Sequence, residues 1–401
     1  MSATVIRADA RALPLADASV DLIVTSPPYW ALRSYTDGGQ HYDGQIGSEP
    51  TPALYLAELI ACTREWMRVL KPTGSMWVQL GDTYSGKANA IAAAPYKSLL
   101  LLPERYRVAC VDQIGLTARA VVVGSKPNGL PESVTDRVRR SHEDWVHLTK
   151  QPRYFSAVDA IRDAYEPDSA RRKVLYGNNP GRDGLAGLRA TGAAKHGSNG
   201  VSVMGVGGSA MNPLGKLPGS VWEIPSEPLV LPAHLGLDHY ASFATEWPRR
   251  IILGWSPSGY CTACDQGRGP VSAKGEYRMA GHGGNYAATP YGAGNHGTGA
   301  SSLRTIADRV ITGEVCACPD ITAPTRPALV VDPFGGTGTT ALVAHALGRH
   351  GITIDRSADY CRIATWRTND PAQLAKAMRV PRPPVQADGQ LDLFAEPGGT
   401  P

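Results

Sequence analysis

Two stretches hold residue types that can do chemistry together. The first is Thr25-Ser26-Pro27-Pro28-Tyr29-Trp30, directly after the apolar run Val20 to Val24. Two prolines fix the backbone after a strand and remove two amide donors, so nearby carbonyls and the Ser26 hydroxyl can face a ligand. Tyr29 adds a flat ring, and the whole suits a planar molecule carrying an amine. The second stretch, Ala328 to Asp355, reads ALVVDPFGGTGTTALVAHALGRHGITID. Its apolar residues Leu329 to Val331 lead into Asp332, Pro333 and Phe334, then a loop of Gly335, Gly336, Thr337 and Gly338. Glycines let backbone pass close to a ligand, and the first free amides of the helix that follows offer a positive pole. Asp355, at the end of the next strand, is where an acid can accept hydrogen bonds from a ribose.

These residues need a sheet to hold them. Thr4 to Ile6 predicts a short strand, with Asp9 just beyond it at the rim where open sheets bind ligands. Val20 to Val24 predicts the strand that delivers Ser26. Helical spacing over Leu54 to Leu70 is stopped by Lys71-Pro72-Thr73-Gly74, and Ser75 to Leu80 reads as a strand. Pro103 to Gln113 predicts a helix. Ala118 to Val123 and Trp145 to Leu148 predict antiparallel strands at one end of a mixed sheet. Helices are expected to end at Leu253 and to cover Thr339 to Leu347 and Tyr360 to Trp366, with a strand at Gly351 to Ile354. A glycine loop of this kind normally opens a doubly wound domain, whereas here it almost closes the chain.

Composition narrows the class. The chain has 401 residues, 42% of them apolar, a net charge of +4 and seven cysteines. No apolar run is long enough to span a membrane, and no apolar h-region follows Met1, so a cytoplasmic location is expected. The charge permits nucleic acid without demanding it. Cysteines without a secretory signal favour free thiols or a metal over disulfides.

TSPPYW at Thr25 to Trp30, taken with DPFGGTGTT at Asp332 to Thr340, resembles the amino-group DNA methyltransferases that use S-adenosyl-L-methionine. The order, catalytic motif early and cofactor loop late, is similar to the circularly permuted beta class and accounts for the late glycine loop. The resemblance extends through RADA around Asp9, KPNGLPES (Lys126 to Ser133), HED (His142 to Asp144), VWEIP (Val221 to Pro225) and LGRHGITID (Leu347 to Asp355). RADA departs from the family in lacking the glycine that often precedes the acid. The resemblance implies a Rossmann-like class I α/β fold with a mixed seven-stranded sheet, circularly permuted. It implies that Asp332 to Gly338 hold the methionine part of the cofactor, that Asp355 takes the ribose, and that Asp9 lies by the adenine. Chemistry would fall to Ser26, Pro27, Pro28 and Tyr29: the base leaves the duplex, Tyr29 stacks on it, and Ser26 with a carbonyl of the proline turn orients its amine for in-line transfer. In the family SPPY usually accompanies cytosine N4, so that amine in double-stranded DNA is the expected target. Adenine N6 is the alternative, and amines of RNA or protein are others. A non-catalytic DNA- or clamp-binding module would instead bind no cofactor.

Cys261, Cys264, Cys316 and Cys318 form CTAC and, much later, CAC. Two close thiolate pairs suit tetrahedral zinc, which would staple a loop-rich, zinc-ribbon-like insertion, while ordinary free cysteines are the other reading. Cys62, Cys110 and Cys361 fall in expected helices and read as fillers. Basic residues including Arg137, Arg139, Arg140 and Lys150 could bind phosphates or form a solvated face. The tail sequence QLDLF, with Gln390, Leu391, Leu393 and Phe394, resembles the short peptide that binds the bacterial sliding clamp. The expected segments are a catalytic half over 1–155, a target-recognition region over 156–235, a returning helix over 236–256, a Cys-containing insertion over 257–325, a cofactor half over 326–375 and a flexible tail over 376–401.

Overall fold

A computed structural model describes residues 3–32, 35–41, 43–86, 94–129, 131–164, 212, 214–237, 242–278, 306–318 and 322–381. Backbone contacts divide the chain into two units. One comprises Met1–Ser156, Ser220–Arg268 and Cys318–Pro401; the other comprises Ala157–Gly219 and Gly269–Ala317.

The first unit is built on an eight-stranded mixed sheet. Its strands are β1 (Ala3–Arg7), β2 (Val20–Thr25), β5 (Leu70–Leu80), β6 (Thr117–Ser125), β7 (His142–Thr149), β8 (Val221–Glu223), β13 (Leu329–Asp332) and β14 (His350–Asp355), in the spatial order β1-β14-β13-β2-β5-β7-β6-β8. The first five in space run parallel, and β7 is antiparallel to both of its neighbours. The early strand β2 thus lies beside the late strand β13, which makes the fold a circularly permuted α/β sheet. Where the sequence led us to expect seven strands, β8 adds an eighth, parallel to β6. Trp222 anchors these three residues by stacking on Trp247 and Trp77, with centroids 5.7 and 6.0 Å away.

Helix α1 (Pro52–Val69) starts where Thr51 accepts the Leu54 amide and buries Tyr55, Leu59, Cys62 and Trp66. It passes straight into β5, so Lys71 to Gly74, expected to be a stop before a strand at Ser75, belong to the strand itself as an irregularity opposite Val20 and Leu22. Helix α2 (Leu102–Asp112) packs on α1, and α3 (Glu246–Trp255) buries Trp247, Ile251, Ile252 and Trp255. Helix α4 (Thr339–Ala346) follows the glycine loop and α5 (Ala358–Asn369) follows β14. Helix α6 (Pro371–Met378) takes up the start of the segment read as tail, because Asp370 caps it by accepting the Gln373 amide and proline opens its first turn.

Small antiparallel pairs complete the unit: β3 (Thr36–Asp37) with β4 (Gln40–His41), and β9 (Gly259–Cys261) with β12 (Thr325–Pro327). In the second unit, β10 (Gly269–Arg278) pairs with β11 (Ile306–Val315) over nearly their whole length. Both strands fall within 257–325, the segment read as a loop-rich, Cys-containing insertion. No helix among the described residues is long and apolar enough to cross a membrane.

Candidate functional site

Parallel strands end in one direction, and that rim gathers the predicted residues. From β2 come Ser26 and Pro28, from β1 Asp9, from β13 the loop Pro333 to Thr337, and from β14 Asp355. All of these line one pocket, together with Arg11, Tyr35, Gln45, Ile46, Ser242, Phe243, Thr339, Arg356 and Tyr360. The pocket holds about 890 Å³ of empty space, open solvent at its mouth included. Aromatic and aliphatic walls beside carboxylates and loop amides match an amphipathic ligand with a flat ring and a polar arm.

The glycine loop is shaped from beneath. Asp332 is buried rather than facing the pocket; it accepts the Phe334 amide at 3.1 Å and the Thr340 hydroxyl at 2.9 Å. Gly335 packs so closely on β14 that a Cβ there would lie 1.6 Å from Thr353 Oγ1. Gly336 and Gly338 take positive φ of 49° and 76°. Gly338 backs on Ala364 instead of the pocket. Asp355 accepts the Gly336 amide on one oxygen and the Ser357 amide on the other, both at 2.9 Å, leaving further lone pairs toward the cavity. Burial pushes the carboxyls of Asp332 and Asp355 up to about 6 each, partly offset by hydrogen bonds they accept.

Asp9 stands in the pocket wall, but both its oxygens are held by Arg11, at 2.7 to 2.9 Å. Hydrogen bonding from Arg11, ahead of any other influence, holds its carboxyl below the ordinary aspartate value.

At the other end of the pocket, the proline turn is fixed by Tyr55, whose hydroxyl donates to the Pro28 carbonyl at 2.8 Å. Tyr29 is not part of the pocket lining. Its ring lies against Gly81, where a Cβ would approach Tyr29 Cε2 to 2.4 Å. Burial, then the Glu143 charge, raise the Tyr29 hydroxyl well above the ordinary tyrosine value.

Several of these residues gave no sequence signal. Arg367 reaches under the loop from α5, and its Nη1 donates to the hydroxyls of Thr339, Thr337 and Ser242 at 2.7, 2.8 and 3.2 Å. Burial lowers its guanidinium to about 10. Glu143 lay in the quoted HED run, but only the pairing of β6 with β7 sets it opposite Gly124. Lys150, read as a phosphate contact, instead donates to the Met67 and Leu70 carbonyls and closes the end of α1.

Cys261, Cys264, Cys316 and Cys318 do come together, with all four sulfurs within 4.8 Å of one another, and they are the one His/Cys/Asp/Glu group of this kind among the described residues. A donor set made only of sulfur fits zinc. Cys62 and Cys110 are buried fillers, and Cys361 is half-buried. Gln390, Leu391, Leu393 and Phe394, and nearly all of 177–219, lie outside the described residues.

Comparison with known proteins adds three findings. A family profile for N6/N4 methylases, described as DNA methylase, matches residues 20–262 and 322–365, more than half of the chain. The Type II methyltransferase M.SfiI of Streptomyces fimbriatus is 37% identical over 177 residues, covering 42% of this chain and 41% of that one. M.Cfr9I of Citrobacter freundii is 35% identical over 183 residues, covering 41% of this chain and 59% of its own length. The match therefore spans less than two thirds of these relatives. The solved structure of PvuII DNA methyltransferase (cytosine-N4-specific) superposes over 94% of this chain and 92% of that one, with a TM-score of 0.50 and 16% identity, a likeness of fold.

Proposed function

The chain belongs to the DNA methylase family, and on that premise we propose that it transfers a methyl group from S-adenosyl-L-methionine to the exocyclic N4 amine of cytosine in double-stranded DNA. One observation carries the reading: Ser26 and Pro28 open on the same pocket as Pro333 to Thr337 and Asp355. An amine held by the first group therefore meets whatever the second group holds. When bound, the cofactor supplies an electrophilic methyl group. Pro333 to Thr337 and Asp355 would hold it, Asp355 at the ribose. Asp332, Gly338 and Arg367 keep the loop in shape, and Asp9, spoken for by Arg11, contributes to the wall near the adenine.

The exocyclic amine is a poor nucleophile because its lone pair is spread into the ring. Hydrogen bonds from its two N–H groups to Ser26 Oγ and a carbonyl of the Pro27-Pro28 turn would orient it and localise that pair. The base must first be flipped from the duplex. Serine in the first position of the motif supports cytosine, and adenine N6 is the outcome that would overturn that choice. Relatives named Type II methyltransferases support a modification role beside a restriction enzyme. The tail peptide with Gln390, Leu391, Leu393 and Phe394 would dock on a sliding clamp; clamp binding unchanged after Gln390, Leu393 and Phe394 become alanine would remove that part of the proposal.

The decisive experiment is sequencing, with modified-base detection, of DNA from cells expressing this protein alone, followed by nucleoside digestion. The expected product is N4-methylcytosine at one recurring sequence. N6-methyladenine would reassign the base, and unmodified DNA from a chain that binds no S-adenosyl-L-methionine would overturn the enzyme.

A further inference from the structure

Residues 263–321 fall between the two segments that the family profile matches, 20–262 and 322–365, so the methyl-transfer machinery common to the family does not account for them. They hold β10 and β11, ten residues each, antiparallel from the Gly269–Val315 pair to the Arg278–Ile306 pair. Among the described residues neither strand pairs with a third. Val310 and Ile311 are neighbours and so point to opposite faces, yet both are exposed, as are Val271 and Val315. A lone ribbon of this kind has no core of its own and leaves both edges open. Cys264 precedes it and Cys316 directly follows it, so in sequence the four gathered thiols bracket its root.

Charge says what such a ribbon fits. The chain's 40 Lys and Arg and 36 Asp and Glu divide unevenly between the two units. Ala157–Gly219 with Gly269–Ala317 hold 12 basic residues against 8 acidic, and the rest of the chain 28 against 28, so the whole net charge of +4 belongs to the second unit. Its longest stretches are free of acid: Tyr277 to Ala307 and Gly184 to Gly219 contain none, while they carry Arg278, Arg304, Arg189, Lys195 and Lys216. Arg309, on β11, is exposed and donates to the Ser272 carbonyl across the ribbon at 2.6 Å. A surface of this sign suits phosphates, and a two-stranded ribbon fits the major groove of B-form DNA, roughly 12 Å wide. Ten residues of strand reach roughly 30 Å, close to one turn of the duplex.

We propose that the second unit is the DNA reader of this chain, and that β10 and β11 form the arm it lays in the major groove, with Arg309 at a phosphate. The choice of duplex DNA as partner rests on the methyltransferase reading above. Target recognition, expected within 156–235, thereby extends to a hairpin that follows the returning helix in sequence.

The test is duplex binding by the full chain, followed by fluorescence anisotropy on a duplex containing the sequence it modifies and on one lacking it. In one variant an Asn-Gly turn replaces Ser272 to Thr312, which keeps the Val271–Gly313 pair and all four cysteines. Its affinity for the target duplex should fall at least about 30-fold, and its preference over the second duplex should shrink to within about twofold. Calorimetric affinity for S-adenosyl-L-methionine should stay within about twofold of wild type. Arg309→Glu should weaken duplex binding at least about tenfold and flatten the dependence of log affinity on log salt by about one. A shortened chain that binds both duplexes within about threefold of wild type overturns the proposal. So does a wild-type dimer in sedimentation that the shortened chain loses with DNA binding unchanged, since the ribbon would then join two copies. If the shortened chain fails to bind cofactor, Arg309→Glu decides: unchanged affinity and salt slope overturn the role, and a loss with a flatter slope supports it. Wild type that binds duplex through the ribbon but transfers no methyl group would strike the methyltransferase reading alone.

Discussion

Asp332 shows what a single buried charge does here. The raised pKa means the folded state holds its proton more tightly than the unfolded chain. The associated stability is fully present below the unfolded value of 3.8 and is lost as pH rises through about 6. Asp355 adds in the same direction. At neutral pH the protein therefore bears the cost of an ionised carboxylate beneath its loop. Asp332→Asn should remove that cost without breaking the contacts, since the amide oxygen can accept from Phe334 and the Thr340 hydroxyl, already 3.3 Å from the Val24 carbonyl, can turn to accept. Urea denaturation at pH 8 should find the variant more stable by on the order of 2 kcal/mol, with the gap closing only as pH falls below 3.8. A gap independent of pH would contradict this account. A second residue-scale prediction concerns Gly81. Alanine there would drive a methyl group into the Tyr29 ring. Methyl transfer should fall by at least about tenfold, while thermal melting, which reports overpacking of roughly 1–3 kcal/mol, should still show a folded protein. Wild-type turnover in Gly81→Ala would mean that the ring position is not needed.

At the scale of elements, β2 matters most, because its end carries Ser26 and its start carries Asp21. Asp21 is 4% exposed and accepts from Lys71 Nζ at 2.7 Å, from the Leu329 amide at 2.8 Å and from the Tyr260 hydroxyl. One carboxylate thus ties β2 to β5, to β13 and to β9. Asp21→Ala would leave a partly buried lysine and an amide unpaired, and should cost about 3–5 kcal/mol in urea denaturation. A loss below about 1 kcal/mol would place the tie among exposed ion pairs of little worth. The two motifs and most strands were legible in the sequence because each is a local pattern: an apolar run, a proline pair, a glycine loop. Glu143, Arg367 and Asp21 were not. Their partners stand 64, 30 and 50 positions away, at Gln79, Thr337 and Lys71, and strand order, which sequence periodicity does not report, brings them together. Helix α6 escaped for a different reason: eight residues give periodicity little to work on, although Asp370-Pro371 was a start signal.

For the whole molecule, chain order and spatial order are different things. Strands β2 and β13 lie far apart in sequence and adjacent in the sheet, and the residues between them include the four cysteines. Zinc–sulfur bonds of roughly 2.3 Å in a tetrahedron put sulfurs roughly 3.8 Å apart, so a cluster whose sulfurs all lie within 4.8 Å of one another needs at most about 1 Å of contraction to bind the ion. Such binding belongs to the folded chain and not to the unfolded one, so it contributes directly to stability. Its reach would extend further, because Tyr260 adjoins Cys261 and also bonds Asp21 at the root of β2. Protein purified without chelator should therefore carry one zinc per chain by plasma mass spectrometry. Chelation should lower the melting temperature by several degrees, and re-addition of zinc should restore it. Cys264→Ser should bind the ion more weakly and melt early whatever the zinc concentration, while Cys110→Ser, at a filler position, should retain the metal. Preparations without zinc whose melting is indifferent to chelator would show that the four thiols gather for packing alone.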